Sequence, residues 1–434
     1  MSVAGSAAVA SSSTEHLTPA QRIRAVVAGS AGNLIEWYDF YVYAFTSLYF
    51  ASAFFPAGDQ TAQLLNVAGI YAAGFLIRPL GGWFFGRFSD RKGRRAGMVL
   101  SVLMMGFGSL MIAALPIYAQ AGALAPALLL VARLVQGFST GGQYGAAATY
   151  LSEISKKGRR GFIASFQFVT LIGGQLSALL VLVGLQQTLG DEAIRAWAWR
   201  VPFAIGAVLA LTVLLFSKHM HETGEIGTPD VDAGTFRALA AHPKSVFFVV
   251  SLSASGAICL YTFTTYMQKF LVNTAGMTAQ GASGVMTAAV VVFMLLQPII
   301  GRLSDTIGRR TCLLIFSGLM TIGAVPLLSL IAGAGATPGA AFGLVVTALL
   351  ILSFYTSVSG LFKAELFPAH IRALGVGFAH SVAAAIFGGT AEWVALLCKQ
   401  MGVESAFYWY VAFAAGTAFL TALLMPEPSR EGRL

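Results

Sequence analysis

The 434-residue chain is poor in charged residues and in cysteine. Only 10% of its residues are charged and 57% are hydrophobic, whereas a soluble domain carries roughly 25% charged residues. This shortage of charge excludes a soluble globular protein and predicts a chain that lies in lipid. The three cysteines, Cys259, Cys312 and Cys398, stand in separate apolar segments without the spacing of a disulfide framework or a metal site. We interpret them as small packing residues.

The sequence also offers little that would support catalysis or a pore. It contains no HExxH or P-loop pattern, and a membrane enzyme would need a cluster of nucleophile and base or of metal ligands. A channel would need rings of like residues around a continuous pore, and a chain built of two six-helix halves offers none. We therefore expect no enzyme activity, no cofactor and no metal.

Long apolar segments make up most of the chain. A helix needs about 20 apolar residues to cross a bilayer. Twelve segments of this kind lie near residues 24–50, 63–86, 97–116, 124–151, 161–187, 197–217, 245–272, 281–302, 311–333, 340–363, 372–398 and 404–425. The fold class is therefore an all-α membrane protein, with twelve transmembrane helices in two pseudo-symmetric six-helix bundles.

A long polar stretch divides these spans six and six. We expect, in chain order, a disordered cytosolic tail (1–20), an N-terminal bundle (21–217), a cytosolic linker (218–244), a C-terminal bundle (245–425) and a second cytosolic tail (426–434). The first segment is rich in Ala and Ser and lacks the basic region of a cleaved signal peptide.

The basic residues predict the orientation. With the N-terminus inside, about 20 of the 27 Lys and Arg lie on the cytoplasmic side, as the positive-inside rule requires. The few basic residues expected at the outer side are Arg195, Arg200, Lys269 and Lys399. The net charge of +9 therefore reflects topology, and nucleic acid is excluded as a partner. Both termini are expected in the cytoplasm.

The two halves carry an internal repeat. GRFSDRKGRR (86–95) follows span 2 and GRLSDTIGRR (301–310) follows span 8, with seven of ten residues identical at an offset of 215. Glu153 and Arg160, after span 4, are echoed by Glu365 and Arg372 after span 10. Two related halves predict a substrate site at their interface near the midplane, around which the halves rock.

The repeated decapeptide predicts a cytoplasmic gate. Gly86 and Gly93 permit a tight turn, Asp90 can cap a neighbouring helix, and an arginine of the motif can reach Glu153. The gate candidates are Gly86, Asp90, Arg94, Arg95, Glu153, Asp305, Arg309 and Arg310. The alternative is a solvated basic loop that only sets topology.

Twelve spans, two such loops and a central linker resemble the major facilitator superfamily. Within it, GNLIEWYDFYVY and RPLGGWFFGRFSDRKGRR resemble the metabolite:H⁺ symporter family, and CLYTFTTYMQKFLVNTAGM resembles its bacterial α-ketoglutarate permeases. The resemblance runs from residue 20 to residue 425. It implies a proton symporter that imports a small dicarboxylate, foremost α-ketoglutarate, by alternating access across a bacterial inner membrane. A monomer in the lipid bilayer is expected.

Span 1 carries a stripe of polar residues that costs free energy to place in a membrane. Asn33, Glu36 and Asp39 advance by three residues, so they fall within an arc of roughly 120° on a helix, and Tyr43 extends the stripe. A charge at the bilayer centre costs about 2.5–3.5 kcal/mol on insertion scales. The stripe must therefore face the protein interior or water.

Arg133 on span 4 lies at nearly the depth of Asp39, and the resemblance implies that these two residues couple transport to protons, with Glu36 as a further candidate. Near the arginine the carboxylate stays ionised; when the substrate draws the arginine away, the carboxylate takes a proton more readily. The alternative is a static buried ion pair that fixes packing.

Arg78 on span 2 lies near mid-depth without an acid on its own span. Arginine binds carboxylates through its bidentate fork, so we predict that Arg78 binds the substrate; an ion pair with Glu36 is the alternative. The further substrate-binding candidates are Arg133, Asn33, Tyr43, Gln143, Tyr144, Gln175, Tyr261, Tyr266, Gln268 and Lys269.

Gln143 departs from the family pattern, which has glutamate at this position. Glutamine cannot titrate, so span 1 would carry the coupling alone, or the protein would be an uncoupled or exchange-mode variant. The remaining alternatives are symporters of other metabolites, namely citrate, shikimate, betaine or proline.

Overall fold

The computed structural model describes residues 19–92, 94–140, 158–217, 236–335, 337–368 and 371–428, and these residues are mostly helical. Six spans form the N-terminal half: Pro19–Phe54; Gln60–Leu76 with Arg78–Lys92; Arg94–Ala114; Leu124–Thr140; Arg160–Ala164 with Phe166–Thr188; and Gly190–Ala196 with Val201–Ser217. Six form the C-terminal half: Pro243–Asn273, Ala279–Ile307, Arg309–Ala332, Pro338–Glu365, Arg372–Gln400 and Glu404–Leu424. We number them spans 1 to 12.

Hydropathy alone identifies most of these helices as membrane spans. Within the described residues, eight helices are long and apolar enough to cross a bilayer. The two parts of span 6, which are bent by 75° relative to each other, together make a ninth such span. Val99–Ala114 and Leu124–Thr140 are shorter apolar helices. Several helices continue beyond the apolar segments that predict them, because backbone hydrogen bonding does not stop where the side chains become polar.

The expected tails and linker lie mostly outside the described residues. Residues 1–18, 218–235 and 429–434 are not among them, whereas Phe236–Ala240, within the expected linker, form a short helix. The division into the domains given above therefore remains a proposal.

The two halves meet along two seams. Span 5 packs along both span 1 of its own half and span 8 of the other, and span 2 packs against the second part of span 11. Within each half, span 3 packs on span 6 and span 9 packs on span 12. Spans 2, 5, 8 and 11 thus lie at the contact between the two halves.

Glycine allows spans 2 and 4 to cross at backbone contact. A Cβ atom on Gly137 would overlap the carbonyl oxygen of Gly74, and one on Gly81 would overlap that of Phe138. Small residues at such crossings let membrane helices approach closely. This crossing holds the two arginine-bearing helices together.

Replacing Gly137 by alanine should therefore lower the thermal stability of the purified protein. Overpacking costs about 1–3 kcal/mol, and here the obstacle is a backbone carbonyl, which cannot rotate aside. Gly184→Ala is the matched control, because a Cβ there meets nothing within 4 Å and replacing a helical glycine stabilises by about 0.5–1 kcal/mol. Equal melting temperatures for the two variants would contradict the close crossing.

Candidate functional site

Arg78 lies at a break in span 2. The helix Gln60–Leu76 ends and Arg78–Lys92 begins around Ile77, because Pro79 has no N–H to continue the hydrogen-bond ladder. The Arg78 guanidinium carbon lies 3.8 Å from the ring centroid of Phe75 and 4.7 Å from that of Phe40. Aromatic faces hold a desolvated cation by cation–π attraction, so the arginine is positioned without a carboxylate at ion-pair distance among the described residues.

Arg133 is held in a similar way on span 4. Its guanidinium carbon lies 4.2 Å from the ring centroid of Tyr43, and its Nη1 donates to Oε1 of Gln136 at 2.7 Å. Gln136 Nε2 in turn donates to the Ser109 hydroxyl at 2.7 Å. The arginine is only 3% exposed.

Asp39 is enclosed on the other side of this network. Arg133 and Ser109 face its carboxylate, but no described residue donates a hydrogen bond to either oxygen. Gly206 on span 6 makes room for the group, since a Cβ there would overlap Asp39 Oδ1. A buried carboxylate without donors is stable only when it carries a proton or meets a cation.

The four charged residues share one small cavity. Glu36, Asp39, Arg78 and Arg133 all line it. The cavity is about the size of a water molecule, so the described side chains leave no room for a substrate. Within the described residues, Glu36 Oε2, Arg78 Nε and Arg133 Nε have no hydrogen-bond partner. The site therefore brings together two acids and two guanidinium groups with unused hydrogen-bonding capacity.

The predicted Asp39–Arg133 pair is not a direct ion pair in this structure. No Asp39 oxygen lies within 4.0 Å of an Arg133 nitrogen, both residues being described; Arg133 instead donates to Gln136, which donates to Ser109. Sequence reasoning missed Gln136, although it stands one helical turn after Arg133 and so on the same face. Asp39 and Arg133 do line the same cavity, but a similar depth in the membrane does not show which polar side chain Arg133 contacts.

The four residues of the polar stripe on span 1 do not all face the cavity. Asn33 Nδ2 donates to Thr170 Oγ1 on span 5 at 2.8 Å, so Asn33 is not at the cavity as predicted. Tyr43 donates its hydroxyl to the carbonyl of Val67 at 3.1 Å and supports Arg133 with its ring rather than offering a free hydroxyl. Only the two acids of the stripe line the cavity.

Span 7 changes its helical geometry at a stretch rich in hydroxyl groups. Thr262–Tyr266 form a π-helical turn, a feature frequent at functional sites. Tyr261 lies beside Arg78, and its ring centroid is 6.1 Å from that of Phe40. The C-terminal half thus places one predicted ligand directly against the N-terminal site.

Lys269 is not at the outer surface, where the basic-residue count placed it. It is 1% exposed, and its Nζ lies 2.6 Å from Oε1 of Glu392 on span 11. Span 7 continues to Asn273, so this lysine is inside the bundle. In this state Glu392 neutralises Lys269, which therefore cannot serve as the predicted substrate cation until the pair separates.

The remaining predicted ligands are dispersed. Gln268 donates to Ser283 at 2.9 Å. Tyr266 is buried, with its ring 5.9 Å from Phe407. Gln175 is fully buried, and neither its Nε2 nor its Oε1 has a partner among the described residues. Gln143 and Tyr144 lie outside the described residues.

Residues 137–141 read GFSTG and so match the GxSxG pattern of serine hydrolases by letters alone. Ser139 lies inside the helix Leu124–Thr140, and its hydroxyl donates to the carbonyl of Gln136 at 2.7 Å. A nucleophile elbow requires an exposed turn between a strand and a helix. The pattern is therefore coincidental.

Contacts join the two halves at the end of the bundle that carries residues 301–310, here termed the repeat end. Asp305 accepts hydrogen bonds from the backbone N–H groups of Gly161 and Phe162, at 2.8 and 3.2 Å, and so caps the start of span 5. Arg309 donates to Asp305 at 3.1 Å and lies 3.6 Å from Glu365. A carboxylate at a helix N-terminus is stabilised by the exposed N–H groups.

The predictions that Gly86 makes a turn and that Arg310 joins the gate need correction. Gly86 lies within the helix Arg78–Lys92 and makes no turn; in the second repeat the turn falls at Gly308, with φ of +91°. Arg310 donates to the carbonyls of Ala422 and Leu423 within its own half. It therefore does not join the two halves in this state.

The first copy of the motif is described only in part. The backbone of Asp90, Arg94 and Arg95 belongs to described helices, but their side chains lie outside the described residues, as do Gly93, the other predicted turn residue, and Glu153. The predicted contact between the motif and Glu153 remains a prediction.

Hydrogen bonds also join the two halves at the opposite end. Gln186 on span 5 donates to Ser283 on span 8 at 3.0 Å, and Asn273 on span 7 donates to Thr61 on span 2 at 3.2 Å. Within the described residues, hydrogen bonds therefore join the two halves at both ends of the bundle.

Asp305→Ala should loosen the repeat end. The change removes the two charge-assisted hydrogen bonds between the halves, each worth about 1.5–3 kcal/mol, and we expect at least tenfold faster thiol labelling of a cysteine introduced at Ser165. Ser165 is fully buried beside Gly301. The background is a variant without the three native cysteines, and Asp59→Ala, which removes an exposed helix cap, is the control. Equal labelling rates in both variants would contradict this gate.

Comparison with known proteins identifies the fold and the family. The sugar (and other) transporter family matches residues 25–225 and 219–431. The α-ketoglutarate permease of Escherichia coli (strain K12) is 57% identical over 415 residues, covering 95% of this chain and 96% of that protein. The citrate-proton symporter of Salmonella typhi is 33% identical over 417 residues, covering 94% of each.

The structure also superposes on the xylose transporter XylE from E. coli in a partially occluded inward open conformation. The TM-score is 0.72 at 18% identity, over 92% of this chain and 95% of that one. This likeness confirms the predicted fold class. On these grounds the chain belongs to the sugar (and other) transporter family and is a multi-pass membrane transporter of the major facilitator fold.

Proposed function

We propose that the protein is a proton symporter that imports a small dicarboxylate, α-ketoglutarate, by alternating access. The observation that carries this proposal is the small buried cavity lined by Glu36, Asp39, Arg78 and Arg133. Both arginines are held on aromatic rings, so their forks can turn to an incoming carboxylate without first breaking an ion pair within the described residues.

Charge balance supports the coupling to protons. Moving one charge through 100 mV is worth about 2.3 kcal/mol, so a dianion entering a negative interior costs about 4.6 kcal/mol. Two accompanying protons would cancel this cost. Asp39 is the proposed carrier of a proton because it is 1% exposed and receives no hydrogen bond from a described residue.

The names of two relatives also support a proton-coupled carrier of an organic anion. The E. coli relative is named an α-ketoglutarate permease and the S. typhi relative a citrate-proton symporter. An organic anion is common to both names, and a proton is part of the second. Citrate is therefore the second candidate substrate, and an exchange-mode variant remains the alternative suggested by Gln143.

We also propose the setting of the transporter. The repeat end faces the cytoplasm, as the basic residues predict, and the protein acts as a monomer in the inner membrane of a bacterium. The hydrogen bonds between the halves at each end would then break in turn during inward and outward opening.

The substrate is tested by competition in proteoliposomes. Uptake of radiolabelled α-ketoglutarate is measured with unlabelled α-ketoglutarate, citrate, shikimate or betaine in excess. Strong inhibition by α-ketoglutarate alone is expected. Inhibition by betaine, a zwitterion, at equal concentration would contradict a site built for two carboxylates.

A further inference from the structure

A buried ion pair joins spans 7 and 11 outside the cavity that the four charged residues line. Lys269 Nζ lies 2.6 Å from Oε1 of Glu392, and the two residues are 1% and 3% exposed. An ammonium carries three N–H groups, yet within the described residues Lys269 donates only to Glu392. Glu392 Oε2 has no hydrogen-bond partner in the same part of the chain. Both members of the pair therefore have unused hydrogen-bonding capacity.

Packing alone does not explain a lysine and a glutamate at this position. Removing two charges from water offsets most of the attraction between them, and apolar residues of similar volume often stabilise a buried position as well. The location of the pair is therefore more informative than its contribution to stability.

Glu392 lies at the seam between the two halves. The second part of span 11 packs along the first part of span 2. A Cβ on Gly389, one turn before Glu392, would overlap Phe75, whose ring centroid lies 3.8 Å from the guanidinium carbon of Arg78. The pair therefore lies beside the helix that leads to Arg78, and a relative motion of the halves changes its surroundings.

Two tyrosines of the N-terminal half connect this pair to Arg133. The guanidinium carbon of Arg133 lies 4.2 Å from the ring centroid of Tyr43 and 5.3 Å from that of Tyr71. The hydroxyl groups of the same two tyrosines lie within electrostatic range of Glu392. Each half therefore brings one buried cation to these rings: Arg133 from the N-terminal half and Lys269, with its partner carboxylate, from the C-terminal half.

Two unused hydroxyl groups lie near the Glu392 carboxylate. Tyr71 on span 2 and Tyr266 on span 7 are buried, and neither hydroxyl has a hydrogen-bond partner within the described residues. The charge of Glu392 acts on both of them. A buried carboxylate needs a cation or hydrogen-bond donors, and these hydroxyls supply donors when another carboxylate takes the place of Glu392 on Lys269.

We propose that Lys269 binds the second carboxylate of the substrate, and that Glu392 is an internal carboxylate that occupies this subsite while no substrate is bound. The arginines of the N-terminal half bind the first carboxylate. The carboxylate of the ligand replaces that of Glu392 one for one, so the buried ammonium is neutralised with and without substrate. Glu392 then turns to the hydroxyls of Tyr71 and Tyr266, and because Tyr71 belongs to the N-terminal half, occupancy of the subsite adds a contact between the halves. This inference rests on the proposed function, because it assigns a subsite to the same substrate.

The test uses two variants for which we expect opposite results. Exchange of α-ketoglutarate is measured in proteoliposomes without a proton gradient. Glu392→Gln removes the competing carboxylate and should lower the half-saturation concentration by about tenfold. The double variant Lys269→Met with Glu392→Gln removes the cation as well, leaves no unpaired buried charge, and should raise this concentration by about 10- to 100-fold.

A competitor with one carboxylate distinguishes a subsite from a general loss of structure. The compound 2-oxopentanoate has a methyl group where α-ketoglutarate has its second carboxylate, so its inhibition constant should be the same in the wild type and in both variants. The matched control is Lys399→Met with Glu404→Gln, which removes a partly exposed ion pair of 3.2 Å between the ends of spans 11 and 12 and should change neither ligand.

The possible results separate the subsite from the proposed function. A rise of the half-saturation concentration in both variants, with a parallel loss of inhibition by 2-oxopentanoate, would identify a structural ion pair and overturn the subsite. Unchanged values in both variants would overturn it as well. Absence of α-ketoglutarate exchange by the wild type would overturn the proposed function and the subsite with it.

Discussion

Asp39→Asn is expected to abolish proton-driven accumulation of substrate while leaving exchange intact. Asparagine has nearly the shape of the acid and fits the space left by Gly206, but it cannot take up a proton. One pH unit across the membrane is worth about 1.36 kcal/mol per proton, or about tenfold accumulation for each coupled proton. In proteoliposomes the variant should therefore reach only equal concentrations inside and outside, with an exchange rate within about twofold of wild type.

Glu36→Gln is the matched control for this experiment. Glu36 lines the same cavity and is equally enclosed, so a general loss caused by removing a buried acid would affect both variants. We expect Glu36→Gln to keep accumulation, because Asp39 is the carboxylate that faces Arg133 and Ser109. Normal accumulation by Asp39→Asn would show that the proton is carried elsewhere.

Arg78→Lys should raise the half-saturation concentration for uptake by about 10- to 100-fold. A lysine keeps the charge but loses the planar fork that binds a carboxylate with two hydrogen bonds and the face that stacks on Phe75 and Phe40. Arg195→Lys is the control, because Arg195 lies at the opposite end of the bundle over Tyr49, at 5.4 Å from its ring centroid.

Uptake kinetics distinguish the two interpretations of Arg78. A raised half-saturation concentration with little change in maximal rate supports a role in binding substrate. Unchanged kinetics in Arg78→Lys would instead favour the structural alternative, in which the side chain only balances the charge of Glu36.

The fold could be predicted from the sequence because its main determinant is local. Apolar length marks the spans, the basic residues mark their ends, and the repeat at 86–95 and 301–310 reveals two related halves. The fold class and the family are confirmed by the comparisons. Turn positions were harder to predict: Gly86 is helical, since a single glycine does not end a helix whose backbone can continue.

The candidate site could be predicted only in part, because its contacts are lateral and long-range. Helical periodicity places Asn33, Glu36 and Asp39 on one arc, but it does not show that Thr170 on span 5 binds Asn33. The pairing of Lys269 with Glu392 joins residues 123 positions apart. Contacts within one turn of a helix, such as that between Gln136 and Arg133, could have been predicted from the sequence. Contacts that depend on the crossing of two helices could not.

Accumulation of α-ketoglutarate by the wild-type protein against an imposed pH gradient tests the central claim most directly. Proteoliposomes are held at zero membrane potential with valinomycin and equal potassium on both sides, and the ratio of internal to external substrate is measured as the external pH is lowered. We predict that this ratio rises at least tenfold for each pH unit, the value for one coupled proton. A ratio that stays at one over the whole range would contradict proton-coupled dicarboxylate transport and identify an uncoupled carrier.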